Sequence, residues 1–267
     1  MRLNIQLIVL FFLLFQFLFA IPVTPQSAPE FSYDETTGKG PSNWGKLSPA
    51  WAVCGNGKMQ SPVSISFNDA VPLPSLGVIK TNYSAAIAAS AVHVSHVIKI
   101  LIEGDGGGLT LAGTYYKLIQ FHWHWGTEHA FDYKRYDLEL HLVHQTPSNQ
   151  TAVIGILYKL GHHDKILKKL LPRLSDLTTV PKNIGIIDPT MIHIDRTNYF
   201  RYVGSLTAPP CTEGVIWTVV KKISKVSKTQ VEELKRLSGE AYGSNARPLQ
   251  PLNGRTINSF HTIHNTF

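Results

Sequence analysis

The sequence predicts a mainly β fold of the α+β class, formed as a single domain with a few short helices at its periphery. Short apolar stretches rich in Val, Ile, Tyr and Thr follow one another along the chain, and turn residues separate them. Helices look few, with two segments showing helical features. No internal repeat or long polar linker divides the 267 residues, so one domain is expected.

The chain begins with a segment typical of a secretory signal peptide, residues 1–20. A single early positive charge at Arg2 precedes an apolar run that ends at the small residue Ala20. We expect residues 21–30 to form a flexible leader and residues 31–267 to form the folded domain. The run is nearly long enough to span a bilayer, so an uncleaved membrane anchor is the alternative. After cleavage, no stable membrane insertion is expected.

Two apolar segments in the first half of the chain predict a β-hairpin. HVIKILIEG (residues 96–104) leads into GDGGG, and LTLAGTYYKLIQFHWHW (residues 109–125) follows it. GDGGG lacks the strand-to-helix context of a phosphate-binding loop, so we interpret it as a turn. YDLELHLVHQ (residues 136–145) and TAVIGILYKLG (residues 151–161) predict two further strands.

Two helices are predicted in the second half of the chain. Residues 164–174 carry apolar side chains at spacings of three and four. Residues 227–237 open with a capping box formed by Ser227 and Gln230.

The excess of basic over acidic residues indicates little about function. The formal net charge is +7 and the pI is near 9.3, but the Lys and Arg residues are scattered. Their densest group lies on the first predicted helix: Lys165, Lys168, Lys169 and Arg173. A solvated helix face is a better interpretation of this group than a nucleic-acid patch, so no nucleic-acid partner is predicted.

Cysteine usage agrees with export. Cys54 and Cys211 are the two cysteines, and in an oxidising compartment such a pair predicts one disulfide; two buried free thiols are the alternative. Two sequons, at Asn82 and Asn149, are candidate glycosylation sites.

QFHWHW, residues 120–125, places two histidines on one face of a strand. Side chains alternate along a strand, so His122 and His124 point the same way. His141, in ELHLVH on a neighbouring predicted strand, can supply a third imidazole. Three neutral histidines with an open fourth position are typical of catalytic zinc, whereas structural zinc usually has cysteine ligands, and no cysteine is near in sequence. Ordinary strand histidines are the alternative for the pair taken alone.

Polar neighbours accompany these histidines. Gln120 precedes His122 by two residues and Glu139 precedes His141 by two, so each shares the face of its histidine. Metal-bound histidines usually donate their second ring nitrogen to such an acceptor. Burying several polar groups without a purpose is costly, which favours the metal site.

Several motifs resemble those of the α-class carbonic anhydrases. QFHWHW, Glu128-His129, ELHLVH and GSLTAPPCTEGVIWTV occur with GPSNWGKL, CGNGKMQSPVSI, AVIGILYKLG and NARPLQPL in the family's order, between about residues 31 and 260. The short step from His124 to Glu128 and the cysteine before GNGKMQSP are most similar to the secreted plant members. The resemblance implies a large, central, twisted and mostly antiparallel sheet.

The resemblance also implies a site. One Zn²⁺ per chain would be bound by His122, His124 and His141, with Gln120, Glu139 and the backbone carbonyl of Asn245 as their hydrogen-bond acceptors. Thr207 would accept a hydrogen bond from zinc-bound hydroxide and donate its own proton to Glu128. The implied wall of the substrate pocket contains Val143, Val153, Leu206 and Trp217. Cys54 and Cys211 match the disulfide of secreted members, which would brace the loop that carries Thr207.

This sequence departs from the family pattern in places. His96 is the best match for the proton-shuttle histidine, with His93 as a rival, but Ser95 replaces the glycine that usually precedes it. The asparagines that usually line the proton path are not evident. Ala208 stands where many members have a polar residue beside the key threonine. His129 and His144 match structural positions and are expected to be buried and hydrogen-bonded.

The expected function is therefore the reversible hydration of carbon dioxide to bicarbonate and a proton. A non-catalytic binding or storage relative, and a zinc hydrolase acting on esters, are the alternatives. The expected partner is the small-molecule substrate, and the expected oligomeric state is a monomer or weak dimer. The predicted signal peptide favours secretion, or another compartment reached by the secretory route.

Overall fold

The described part of the chain, residues 30–239 and 243–262 of this computed structural model, is built on one thirteen-stranded sheet. The strands of the chain are β1 (Ser64–Ile65), β2 (Val71–Pro72), β3 (Lys80–Thr81), β4 (Ile87–Val94), β5 (Val97–Ile102), β6 (Gly108–Leu111), β7 (Thr114–Trp125), β8 (Ala130–Phe131), β9 (Leu138–Gln145), β10 (Thr151–Leu160), β11 (Lys182–Ile187), β12 (Asn198–Ser205), β13 (Glu213–Val220), β14 (Ser224–Val226) and β15 (Asn258–His261). The predicted signal peptide and the leader up to residue 29 lie outside the described residues.

The sheet is mixed but mostly antiparallel, as predicted. Its main order is β11-β4-β5-β7-β9-β10-β13-β12-β15-β2, with β6 beside β7, β3 beside β6 and β14 beside β10. The parallel pairs are β10 with β13, β10 with β14, and β15 with β2. β1 and β8 form a separate parallel pair.

Short helices lie around the sheet, and both predicted helices are confirmed. The α-helices are α1 (Trp44–Leu47), α2 (Val53–Asn56), α3 (Lys165–Leu170) and α4 (Lys228–Leu237), and the 3-10 helices are Glu35–Thr37, Pro49–Trp51, Pro74–Leu76, Leu171–Arg173 and Pro189–Met191. The Asp164 carboxylate caps α3, and the predicted capping box of Ser227 and Gln230 begins α4. No helix within the described ranges is long and apolar enough to cross a membrane.

The hairpin predicted from residues 96–104 and 109–125 contains three strands, β5, β6 and β7, where two were expected. β5 and β7 are antiparallel neighbours, but GDGGG leads into β6, which turns back onto β7 at Ala112 and Gly113. Both turn residues have positive φ, 47° and 83°, as a tight two-residue hairpin turn requires. The sequence interpretation missed this turn because the apolar pattern continues on both sides of it.

The strand predicted to start at His96 starts one residue later. Ser95 and His96 have φ values of 53° and 62° and form the turn between β4 and β5. The placement of His96 within a strand was therefore wrong. A glycine adopts this left-handed conformation readily, whereas Ser95 does so at some cost.

The sheet separates two parts of the core. Alternate residues of β7, β9 and β10, such as Trp123, Leu140 and Ile154, belong to the larger apolar cluster. Val153 and Trp217 belong to the second cluster, on the same sheet face as the histidine pair. The predicted site therefore projects from one face of a sheet whose other face is buried against apolar side chains.

Candidate functional site

The strand register assembles the predicted histidines in a row across the sheet. Lys99 of β5 pairs with His122 of β7, His122 pairs with His141 of β9, and His141 pairs with Gly155 of β10. Directly paired residues project from the same face, so these groups are neighbours. His124, two residues beyond His122, lies on the same face and completes the set of three imidazoles.

Each of the three imidazoles is fixed by a hydrogen-bond acceptor. Nδ1 of His122 donates to Oε1 of Gln120 at 2.8 Å, and Nδ1 of His124 donates to the carbonyl of Asn245 at 2.7 Å. Nε2 of His141 donates to Oε1 of Glu139 at 2.8 Å. The acceptors carry no proton of their own, which assigns the N–H to these nitrogens. The opposite nitrogen of each neutral ring is left with a lone pair.

The remaining nitrogens fit a metal ion. One ligand nitrogen from each of His122, His124 and His141 lies within 4.8 Å of the other two. Nε2 of His124 is buried and has no hydrogen-bond partner among the described residues. A buried lone pair without a donor is costly unless something binds it, and converging imidazole nitrogens are preferred ligands of zinc.

Burial determines the protonation of this cluster. Desolvation, together with the neighbouring imidazoles of His124 and His141, holds the pKa of His122 well below its usual 6.5. Desolvation likewise lowers the pKa of His124. The rings of His122 and His124 are therefore neutral near pH 7, which is the form that binds a metal.

Glu139 supports more than one histidine. Burial alone would raise its pKa, but His129 and His141 beside it hold the pKa well below the usual value. Its carboxylate accepts the backbone N–H and the Nδ1–H of His129, at 2.8 and 2.7 Å. Nε2 of His129 in turn lies 2.7 Å from the hydroxyl of Tyr202. His129, Glu139 and His141 are close enough to suggest a second metal site, but these hydrogen bonds already account for their proximity.

Asn245 connects the site to the distant C-terminal segment. Besides accepting from His124, it accepts the backbone N–H of Trp125 on its side-chain oxygen at 2.8 Å. Its side-chain nitrogen donates to the carbonyl of His96 at 2.9 Å. One asparagine therefore fixes the end of β7 against the β4–β5 turn.

Glu128 is fully buried beside the imidazoles. Oε1 accepts the backbone N–H of Arg247 at 2.9 Å, while Oε2 has no hydrogen-bond partner in the described structure. Oε2 lies 3.5 Å from Nε2 of His124 and 3.9 Å from Nδ1 of His141. Thr207 is buried and borders the cavity that the three imidazoles also line, but no hydrogen bond joins its hydroxyl to Glu128 among the described contacts, so that bond stays a prediction.

The three imidazoles lie on the wall of a cavity of about 140 Å³. The predicted pocket residues Val143, Val153, Leu206, Ala208 and Trp217 all border it. The sequence interpretation did not identify the other lining residues, which are Tyr33, Ser95, Val97, Lys99 and Pro209. The register between β5 and β7 brings Lys99 here, and a prediction that takes each strand alone cannot find it.

The two predicted shuttle candidates do not border this cavity. The ring of His96 packs edge-on against Phe31 and Tyr33, and its Nε2 donates to the carbonyl of Phe31 at 2.7 Å. His93 lies on β4, where its backbone N–H donates to Thr178. The shuttle role of either histidine stays a prediction.

The predicted disulfide is confirmed and lies next to the Thr207 loop. Cys54, in α2, is bonded to Cys211, which follows Thr207 by four residues. The carbonyl of Cys211 also accepts a hydrogen bond from Gln60 at 3.1 Å. These links hold the loop between β12 and β13 against the N-terminal helices.

His129 and His144, the predicted structural histidines, are both buried and hydrogen-bonded. Nε2 of His144 lies 2.8 Å from the hydroxyl of Tyr83.

Both sequon asparagines, Asn82 and Asn149, are exposed. The carbonyl oxygen of the Asn82 side chain accepts the backbone N–H of Gly108 at 2.9 Å. Glycosylation at either position stays a prediction.

Comparisons with known proteins agree with this geometry. The model of the eukaryotic-type carbonic anhydrase family matches residues 39–261. Alpha carbonic anhydrase 4 of Arabidopsis thaliana is 41% identical over 227 residues, which cover 85% of this chain and 84% of that protein. The solved structure of dioscorin complexed with ascorbate has a TM-score of 0.82 at 37% identity, covering 88% of this chain and 100% of the other. The structure of the alpha-carbonic anhydrase of Thermovibrio ammonificans, solved with the inhibitor sulfanilamide, has a TM-score of 0.79 at 33% identity. The match covers 87% of this chain and 100% of the other.

Proposed function

This chain belongs to the eukaryotic-type carbonic anhydrase family, and from that premise we propose that it catalyses the zinc-dependent, reversible hydration of carbon dioxide to bicarbonate and a proton. The observation that carries the proposal is the set of three imidazoles, each fixed by an acceptor, with their remaining nitrogens converging beside a small cavity. The ligands would be His122, His124 and His141. Three protein ligands leave a fourth position open, as catalytic zinc requires.

Bound zinc would supply one essential property: it would lower the pKa of its water to about 7, so that a hydroxide nucleophile would exist near neutral pH. The chain's own residues fix the metal ligands and shape the space around this nucleophile. Gln120, Glu139 and the Asn245 carbonyl keep each imidazole in the tautomer that presents a lone pair.

Thr207 and Glu128 are proposed to orient the nucleophile. A hydroxyl has one proton, so a threonine that donates to a carboxylate can only accept from a third group. Oε2 of Glu128 is buried and lacks a donor, whereas Oε1 already accepts the Arg247 N–H. Oε2 is therefore the proposed acceptor for the Thr207 hydroxyl. The Thr207 oxygen would then accept a hydrogen bond from the O–H of the nucleophile, which would turn a nucleophile lone pair toward carbon.

The cavity suits a very small, uncharged substrate. Val143, Val153, Leu206 and Trp217 provide apolar contacts for carbon dioxide. We favour this substrate over the esters of a general hydrolase because the family is that of the carbonic anhydrases. A non-catalytic relative is the remaining alternative, and loss of a ligand histidine would be its expected mark, yet all three are present.

Regeneration of the nucleophile requires a proton to leave the cavity. An imidazole is the side chain best suited to such a relay near neutral pH, but Nε2 of His96 donates to the carbonyl of Phe31. To relay a proton, His96 has to break that hydrogen bond and turn toward the cavity. We therefore propose that soluble buffer carries most of the proton flux.

Further expectations rest on the sequence alone. They are a cleaved signal peptide over residues 1–20, secretion or delivery to a compartment of the secretory route, glycans at Asn82 and Asn149, and a monomer or weak dimer. The Cys54–Cys211 disulfide supports the oxidising environment that export provides.

Stopped-flow hydration of carbon dioxide by His124→Ala and by the control His162→Ala tests the proposal. His162 is exposed and lies outside the cavity, so its variant should retain the wild-type rate. His124→Ala should lose zinc and fall by at least about a hundredfold in rate. Equal rates in the two folded variants would refute the assignment of the site.

A further inference from the structure

Lys99 is a cation in the wall of the cavity. It is half-buried, borders the cavity, and is paired directly with His122 across β5 and β7. Paired residues share a sheet face, so the Lys99 stem leaves the sheet on the side of the imidazoles. Neither the family assignment nor the sequence motifs give this lysine a role.

The Lys99 ammonium lacks a compensating charge. Burial lowers its pKa from the usual 10.5, and no described carboxylate acts on it in the opposite direction. The described part of the chain also provides it with no hydrogen bond or ion pair. A partly desolvated charge without a partner gains more from a small anion than an exposed lysine does.

The strand order divides the cavity into two chemically different sides. Lys99, on β5, lies at one side of the histidines, which β7 and β9 carry. Val153 on β10 and Trp217 on β13 lie at the other. An uncharged molecule is better accommodated on the β10–β13 side, and an anion on the β5 side.

We propose that Lys99 forms a binding subsite for a monovalent oxyanion, and that bicarbonate is the anion it takes in turnover. The identity of the anion rests on the proposed function, whereas the existence of the subsite does not. Carbon dioxide and bicarbonate would thus be favoured at opposite sides of one cavity. Lys99 then acts on the affinity for the charged product and contributes little to the affinity for the uncharged substrate.

Nitrate is a suitable probe because it is a planar monovalent oxyanion that does not react. Its dissociation constant is measured by calorimetry at constant ionic strength, on protein with and without zinc. Lys99→Met keeps the apolar stem and removes the charge, and Lys99→Arg keeps the charge. Lys159→Met is the matched control, because Lys159 is an exposed strand residue outside the cavity and its loss changes net charge equally.

We expect Lys99→Met to raise the nitrate dissociation constant about tenfold, with Lys99→Arg and Lys159→Met within about twofold of wild type. The KM for bicarbonate should rise in Lys99→Met as well. If Lys99→Met and Lys159→Met bind nitrate equally in folded protein, the subsite is refuted, even where hydration of carbon dioxide is rapid. If hydration is absent but nitrate binding still depends on Lys99, the subsite stands and the proposed function fails.

Discussion

Glu139 accepts a hydrogen bond from Nε2 of His141 at 2.8 Å, two residues further along the same strand. The same oxygen accepts from Nδ1 of His129 at 2.7 Å, which fixes the carboxylate from a second direction. The orientation of a proposed ligand thus depends on a buried carboxylate that is itself immobilised. This arrangement makes the effect of several substitutions predictable.

Glu139→Gln should weaken zinc binding. The amide places an N–H₂ group where one of the donors now finds an oxygen, so His141 loses part of its orientation. We expect the zinc dissociation constant, measured by competition with a chelator, to rise about 10- to 100-fold. Glu232→Gln removes the same charge from an exposed position of α4 and should leave zinc affinity unchanged. An unchanged affinity in folded Glu139→Gln would contradict this role.

Gly155→Ala should disturb the same carboxylate from the neighbouring strand. A Cβ at Gly155 would lie 3.1 Å from Oε1 of Glu139, which its hydrogen bonds to His129 and His141 prevent from moving away. We expect a loss of about 1–3 kcal/mol in unfolding free energy and several-fold weaker zinc binding. Gly55→Ala is the control, because its Cβ would meet nothing closer than 3.7 Å. It should change neither the unfolding free energy nor the zinc affinity. Urea denaturation and chelator competition measure the two effects.

Replacing both Cys54 and Cys211 by serine should destabilise the fold. The disulfide closes a long loop, with a sequence separation of 157, so its loss enlarges the unfolded ensemble. We expect the free energy of unfolding in urea to fall by about 2–5 kcal/mol. Reductant should lower the stability of wild type to that of the double variant and leave the variant unaffected. A wild type that reductant does not destabilise would contradict the prediction.

The unfolding free energy should fall as the pH is lowered, because His144 is buried in its neutral form. Burial lowers its pKa from 6.5 to about 4. Between pH 6.5 and pH 4, the unfolded chain binds a proton at His144 and the native state does not. The contribution of neutral His144 to the unfolding free energy is therefore complete above pH 6.5 and disappears as the pH falls toward 4. The shift corresponds to about 3 kcal/mol.

His144→Gln provides the comparison for that pH dependence. Nδ1 of His144 faces the carbonyl of Ala152 at 3.2 Å and Nε2 faces the Tyr83 hydroxyl, and a glutamine amide offers both a donor and an acceptor. The pH dependence of unfolding free energy, measured on metal-free protein to remove ligand protonation, should be shallower in the variant by about 2–3 kcal/mol over this range. Identical pH profiles would show that His144 does not carry the effect.

Short-range patterns predicted much of the site. Strand parity placed Gln120 with His122 and Glu139 with His141, because alternation is a local property of the chain. The capping box of Ser227 and Gln230 was predictable for the same reason. The resemblance supplied the Asn245 carbonyl as the acceptor for His124, a contact across 121 positions that no local pattern predicts.

The features that local patterns missed depend on register and backbone conformation. Lys99 enters the cavity because β5 pairs with β7 in one particular register. His96 lies in a turn because two consecutive residues adopt positive φ, although its sequence suits a strand. The small size of Gly155 matters because Glu139 lies opposite on the next strand. Each of these needs the three-dimensional pairing before its consequence can be seen.

The central claim is that one zinc ion, held by His122, His124 and His141, makes this chain a catalyst of carbon dioxide hydration. The most direct measurement is the stopped-flow hydration rate at about pH 8 as zinc is added back to chelated, mature protein. We predict a rate that rises linearly with zinc and reaches a plateau at one equivalent per chain. A rate no faster than that of buffer, with one zinc bound, would contradict the claim and favour a non-catalytic relative.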